Sequence, residues 1–296
     1  MPPSDASPPP TAEEVVAAFG PAADHEDPLL ADLAATALQA ARAAAAVLVV
    51  GAAAGARHVD TKTSGTDMVS EVDRGAEAAV AAVLAERRPD DALLAEEGTA
   101  SAGASGVRWV VDPLDGTTNF LFGVPQWSVS IAAEVDGAAV AGVVLDPTRG
   151  ELWAAARGRR ARRNGVACQV AAGRSSLATA LVATGFGYRS DRRAWQGSLL
   201  SVVLPAVRDL RRFGSAALDL CWVAGGRVDA YYEWGLNPWD LAAGRLICEE
   251  AGGRVGLLGE RTVVAAPPDL YGPLVELLER AGAADAPPGP EPRHWA

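Results

Sequence analysis

The sequence predicts an α+β fold in which sheets and helices stack in layers. Two Ala-rich helical stretches precede any strand, a run of hairpin-linked strands follows, and the second half alternates short strands with helices in blocks. That order does not suit a doubly wound parallel sheet, in which strand and helix alternate from the start. Hydrophobic residues make up 49% of the 296 positions, ample for a buried core.

The ends of the chain are different in kind. Residues 1–27 and 284–296 are rich in Pro, Ala and acid and cannot bury enough surface to order themselves, so they are expected to be disordered tails around one unit at 28–283. From Pro28, "PLLADLAATALQAARAAAAVLVVGAA" reads as a long helix and "DMVSEVDRGAEAAVAAVLAERR" as a second. "ALLAE", "VRWVVD", "QWSVSIAAEVDG", "AAVAGVVLDPTRG" and "ELWAAARG" read as a largely antiparallel meander with DG and RG turns. Next come a strand "ALVAT", a helix over 191–206 and a strand "VRDLRRF". The helix "SAALDLCWVAGG", strand "VDAYYE" and helix "PWDLAAGRLICEEAGG" follow, then strands near 254–265 and a last helix from Asp269.

Composition excludes several functions. The formal charge of −11 and the single short basic run "RGRRARR" argue against nucleic-acid binding. Cys168, Cys221 and Cys248, an odd number without CxxC spacing, fit neither a disulfide framework nor a zinc site and suit a reducing cytoplasm. The apolar stretch at 43–56 is too short and too rich in Ala and Gly to span a bilayer, so no membrane role is expected. The three histidines, His25, His58 and His294, sit in or near tails and helix ends, poor places for a phosphohistidine nucleophile.

"DPLDGTTNF", residues 112–120, carries the chemistry. Asp112 ends a strand, Pro113 is expected to turn the chain there, and Asp112 and Asp115 then face one space. Gly116 frees a tight turn, and Thr117 opens a short helix whose unpaired amides favour an anion. Two carboxylates beside an anion site call for hard divalent cations between them, which is the arrangement of metal-assisted phosphoryl chemistry. Taken alone the motif is also an ordinary turn composition. Glu96 and Glu97 at a strand end, and Asp240 in the first turn of a helix begun by Asn237 and Pro238, add acids that could converge on it. Asp240 by itself equally suits the positive end of a helix dipole.

From Lys62 to Gly253, "KTSGTDMVSEVD", "EEG", "WVVDPLDGTTNF", "RRFGSAALDLC", "DAYYEWGLNPWDLAAG" and "EEAGG" stand in the order found in the inositol monophosphatase family of Mg²⁺-dependent, lithium-sensitive phosphatases. The chain resembles the bacterial inositol-1-monophosphatase branch, departing from it at Ala95, where a Gly often stands, and in its N-terminal extension. The resemblance implies a layered α/β/α/β/α sandwich of the sugar-phosphatase type and two or three Mg²⁺ ions per site. Glu96, Asp112, Asp115, Asp240 and the carbonyl of Leu114 would be metal ligands, with Asp112 bridging. Glu96, Thr117 and Asp73 would be catalytic, orienting water or supporting a weaker third metal. Asp115, Gly116, Thr117, Gly214, Ser215, Ala216, Glu233 and Asp240 would bind substrate, under a loop carrying Lys62.

The implied activity is hydrolysis of a small phosphate monoester by metal-activated water, foremost inositol 1-phosphate, by a cytoplasmic homodimer. Histidinol phosphate, a nucleotide 3'-phosphate and fructose 1,6-bisphosphate are the alternative substrates. A regulatory role as a partner of the transcription machinery is the alternative of a different class.

Overall fold

The computed structural model describes residues 27–54, 59–61 and 68–285. The expected tails, Lys62, and all three histidines lie outside these residues, apart from Asp27 and residues 284 and 285 of the tails.

Helix α1 (Pro28–Ala54) and helix α2 (Glu71–Arg87) pack side by side and flank a short ladder of β1 (Val59–Thr61) and β2 (Met68–Ser70). By length and hydropathy α1 could cross a membrane, yet 56% of its most apolar window is buried in the fold. Its alanines make this possible: Ala34, Ala37, Ala41 and Ala44 are fully buried, and their small side chains bring α1 close to its neighbours.

The first sheet has eight strands. They are β3 (Ala92–Ala95), β4 (Ala100–Ser101), β5 (Val107–Asp115), β6 (Ser128–Val135), β7 (Ala138–Asp146), β8 (Glu151–Ala156), β9 (Arg162–Arg163) and β10 (Val166–Ala167), in the order β10-β9-β8-β7-β6-β5-β3-β4. The meander is antiparallel throughout except that β3 runs parallel to β5. A one-turn helix, α3 (Thr117–Leu121), follows β5.

The second sheet orders β12 (Asp209–Arg211), β11 (Leu181–Thr184), β13 (Ala230–Trp234), β15 (Thr262–Ala266) and β14 (Arg254–Leu258), with β11 parallel to both of its neighbours. Helices α5 (Ala216–Ala224) and α6 (Pro238–Glu250) lie between the two sheets, and α4 (Ser190–Val203) and α7 (Pro268–Ala281) cover the outer face of the second. The expected five-layer α/β/α/β/α sandwich is therefore present, with a hydrophobic cluster at each sheet face that the helices cover.

Four sequence expectations change in detail. The second helix, expected from Asp67, begins at Glu71: Met68–Ser70 instead pair with Val59–Thr61, so two short strands precede that helix. The strand drawn over "VRDLRRF" shortens to three residues, because Arg212 to Gly214 leave the sheet to enter α5. The helix expected over 191–206 is α-helical only to Val203 and tightens to a 3₁₀ turn at Leu204–Ala206, around Pro205. The chain does not turn at Pro113: β5 runs on to Asp115.

Candidate active site

The reason Asp112 and Asp115 share a face is a β-bulge. Along β5, Asp112 pairs with Ser130 and Asp115 with Ser128, so three steps on one strand answer two on the other. In a regular strand, residues three apart point to opposite faces; one extra residue restores the parity and turns both carboxylates the same way. Pro113, which has no N–H to donate, sits in the interrupted stretch where no ladder bond is lost. Gly116 then takes a left-handed φ of 103°, and a Cβ there would come 2.9 Å from the carbonyl oxygen of Gln126, so the turn into α3 needs glycine.

Each carboxylate has a distinct neighbourhood. Asp112 is buried and accepts the Leu114 N–H at 3.0 Å. Asp115 accepts the Ser215 hydroxyl at 2.6 Å and the Ala217 and Ala216 amides at 2.8 and 3.3 Å, all at the start of α5. Ser215 and Ala216, expected at the substrate, thus turn their donors to Asp115. Ser215 is also the N-cap of α5, so the capping role and the site role coincide. Gly214 precedes it, and the Phe213 carbonyl accepts from Asn119 Nδ2 at 2.7 Å, which ties α3 to this segment.

Glu96 arrives by a different route. The parallel register of β3 and β5 sets Ala95 beside Val111, and the next residue on each strand is Glu96 or Asp112. Ala95 itself is buried within β3, so its methyl group is accommodated where the family often has glycine. Asp240 is the third residue of α6 and accepts the Asn237 N–H at 2.7 Å, so it caps its helix while facing the cluster. The side chain of Asp73, in the first turn of α2, is fully buried, and the Thr117 hydroxyl lies 3.4 Å from its Oδ2 and 3.1 Å from the Leu114 carbonyl oxygen. That burial sets Asp73 apart from the solvated acids usual on a helix surface.

Electrostatics shows how tightly these groups gather. Burial pushes the Asp112 carboxyl well above the ordinary range, reinforced by the charges of Glu96, Asp115, Asp240 and Asp73. Asp240 is raised by burial and then by Glu96 and Asp115. Burial raises Asp115 to about 6, against its hydrogen bonds from Ser215 and Ala217. Glu233, on β13, is raised by burial to about 7 although the Tyr231 hydroxyl, 2.7 Å away, and Arg212 favour its charged form; Asp115 again repels it.

Among the described residues no three acids, histidines or cysteines form a ready-made metal cage. The donor set nonetheless fits Mg²⁺, which keeps several waters and binds through one or two carboxylates together with substrate phosphate, so it needs no closed protein cage. Mutually repelling buried carboxylates are the complement of such a cation.

Several contributing residues escape sequence reasoning. Glu77, buried one turn after Asp73 on α2, accepts the Glu97 and Thr99 amides at 2.7 and 2.9 Å and so shapes the loop that carries Glu96. Its signal is present in the sequence as two acids four apart on a stripe that continues through Val80 and Leu84. Glu97 enters through its backbone alone in that contact, in keeping with its absence from the expected ligands. Asp219, buried in α5, is raised by burial and by the charges of Glu233 and Asp115. Gly185 lies against Glu233: a Cβ there would stand 1.8 Å from Oε2, so only glycine leaves room for this carboxylate.

A model of the inositol monophosphatase family matches residues 29–285. The chain is 44% identical to an inositol-1-monophosphatase of Mycobacterium leprae over 243 residues, 77% of this chain and 84% of that protein. It is 43% identical to a Nus factor SuhB of Pasteurella multocida over 221 residues, 74% of this chain and 82% of that protein. The crystal structure of the extragenic suppressor protein suhB from Bartonella henselae superposes with a TM-score of 0.78 at 38% identity, covering 83% of this chain and 97% of that one.

Proposed function

The chain belongs to the inositol monophosphatase family, and from that premise we propose that it is a Mg²⁺-dependent phosphatase whose substrate is inositol 1-phosphate. The observation that carries the reading is the bulge in β5, which turns Asp112 and Asp115 to one face, where burial and the charge of Glu96 raise both, and Asp240 raises Asp112 further. In this reading Glu96, Asp112, Asp115, Asp240 and the Leu114 carbonyl would hold two Mg²⁺ ions, Asp112 contributing to both, and a third ion would bind more weakly. Bound Mg²⁺ supplies a lowered pKa for water and neutralises charge on the phosphoryl oxygens.

The protein groups then have separate duties. Thr117, whose hydroxyl lies near Asp73 and the Leu114 carbonyl, orients the attacking water together with Glu96. The left-handed turn at Gly116 leaves the amides at the start of α3 open toward a phosphate. Asp115 and Asp240 would face the substrate as Mg²⁺ ligands. Gly214, Ser215 and Ala216 fix the wall on which the inositol ring rests, and Glu233 accepts hydrogen bonds from ring hydroxyls.

The protein works as a homodimer in the cytoplasm, a compartment that suits its three free cysteines. The relatives named Nus factor SuhB favour a second role, binding to the transcription machinery, which would not require the acid cluster. Turnover of inositol 1-phosphate, histidinol phosphate, adenosine 3',5'-bisphosphate and fructose 1,6-bisphosphate, measured side by side with and without Mg²⁺, tests the reading. Preference for inositol 1-phosphate, uncompetitive inhibition by Li⁺ and no turnover without Mg²⁺ are the expected results. Faster turnover of another ester reassigns the substrate, and no turnover of any leaves the binding role.

A further inference from the structure

A concave basic region lies at the far end of α5 from the carboxylates. Ser215 caps the N-terminus of this helix beside Asp115, and Gly226 and Arg227, just past its C-terminus, line a cavity of about 360 Å³. The nine residues of α5 separate the two places by roughly 14 Å of helix. Arg174, Arg208, Arg211 and Arg227 reach this cavity against two carboxylates, Asp209 and Asp229. In a chain with a formal charge of −11 this is a local inversion of sign.

Three of the four guanidinium groups are held in place. Buried Asp229 accepts the Leu181 N–H at 2.8 Å and Arg174 Nη1 at 3.2 Å. Arg211 Nη1 lies 2.6 Å from Asp209. Arg227 pairs with Glu151 and lies 5.5 Å from the Trp222 ring centre and 5.6 Å from that of Trp153. The guanidinium of Arg208 makes no ion pair among the described residues. A guanidinium carries five donors and one carboxylate engages at most two of them, so each anchored arginine keeps donors for a second anion. Anchoring also spares the ordering cost that a free arginine meets on binding.

We propose that this cavity is a binding site for the phosphate group of a small molecule, independent of the carboxylate cluster. A tetrahedral phosphate carries more acceptor oxygens than a carboxylate, arranged in three dimensions, so it can take donors from several arginines on different sides of a concave surface at once. The phosphate is either inorganic phosphate, the product that every phosphatase reaction releases, or one carried on an organic group.

Calorimetric titration of the full-length protein with inorganic phosphate, and separately with methylphosphonate, tests this. Asp112→Asn removes the shared carboxylate of the cluster, and phosphate is expected to bind that variant still. Adding Arg208→Ala and Arg211→Ala should weaken this binding at least tenfold, while the same two changes in the parent protein leave its kcat and KM for a phosphate monoester unchanged. Tighter binding of methylphosphonate than of phosphate identifies an organic phosphate as the ligand, and the reverse identifies free phosphate. Arg208→Gln alone, which disturbs no ion pair of the fold, should weaken binding several-fold. The proposal is overturned if Asp112→Asn binds neither probe, if removing Arg208 and Arg211 leaves the affinity unchanged, or if Arg208→Gln has no effect.

Discussion

Asp91, which precedes β3 and lies beside the first residues of β5, and Asp112, toward the other end of β5, are both buried carboxylates, and their surroundings drive them in opposite directions. At Asp91, burial favours protonation, but hydrogen bonds from Arg88, Ser105 and Trp109 outweigh it and hold the carboxyl below its usual value. The contacts are short: Arg88 Nε at 2.7 Å, Ser105 Oγ at 2.6 Å and Trp109 Nε1 at 2.8 Å. At Asp112, burial is reinforced by four acids and relieved by one Leu114 amide. A carboxylate surrounded by donors joins elements of the fold, whereas one surrounded by carboxylates stores repulsion that only a cation can discharge. The structural end of β5 supports the fold, and the other end gives up stability for chemistry.

The largest effect that would break this comparison is on turnover. Asp112→Asn is expected to lower Mg²⁺-dependent phosphate release by on the order of 10³-fold or more, while the metal-free variant melts no lower than the parent because one repelling charge is gone. Near-normal turnover in a folded Asp112→Asn protein, or a clearly lower metal-free Tm, would show that this end is structural too.

Glu233→Gln probes the edge of the cluster. Losing a charge-assisted bond to a polyol hydroxyl should cut kcat/KM for inositol 1-phosphate roughly ten- to a hundredfold, with p-nitrophenyl phosphate hardly affected. Equal losses on both substrates would place Glu233 among the groups serving metal or fold.

The pH dependence of stability sharpens the contrast, because the two ends carry opposite signs. Acids raised in the folded state contribute stability that is full below their ordinary pKa and lost as pH rises, here through about 6 for Asp115 and about 7 for Glu233. Asp91, held below 3.8, contributes above that value and loses its contribution as pH falls through the lower folded pKa. Metal-free protein should therefore melt lower at pH 8 than at pH 5. Mg²⁺ at about a hundred times its dissociation constant should restore about 2.7 kcal/mol at the higher pH. A metal-free Tm that rises from pH 5 to 8, or ignores Mg²⁺, contradicts the mutual repulsion.

The smallest expected effect is Asp91→Asn. Losing the charge that gathers three donors should cost about 1–3 kcal/mol, read as a Tm lower by a few degrees for each kcal/mol. kcat per folded molecule should stay as it was. An activity loss without a stability loss would dissolve the division of labour between the two ends.

How much of this was legible follows from how local each feature is. Element types were readable, because an alanine-rich 3.6-residue period and a run of β-branched residues between turns are properties of short windows. The acid inventory around "DPLDGTTNF" was readable too, as was the start of α6 at Asn237 and Pro238. From sequence alone the bulge cannot be told from a turn at Pro113: proline signals an interrupted ladder in both cases, and only pairing with Ser128 and Ser130 distinguishes them. The saturation of Asp115 by Ser215 and Ala217, the room Gly185 leaves for Glu233, and the gathering of Arg174, Arg208, Arg211 and Arg227 join segments far apart in the chain.

By itself, then, the sequence determined which residues could bear charge and the approximate place of the long helices and the main strands. Tertiary structure alone decided which charges met. Proximity across layers depends on register and packing, and a one-residue slip in β5 would send Asp112 or Asp115 to the opposite face.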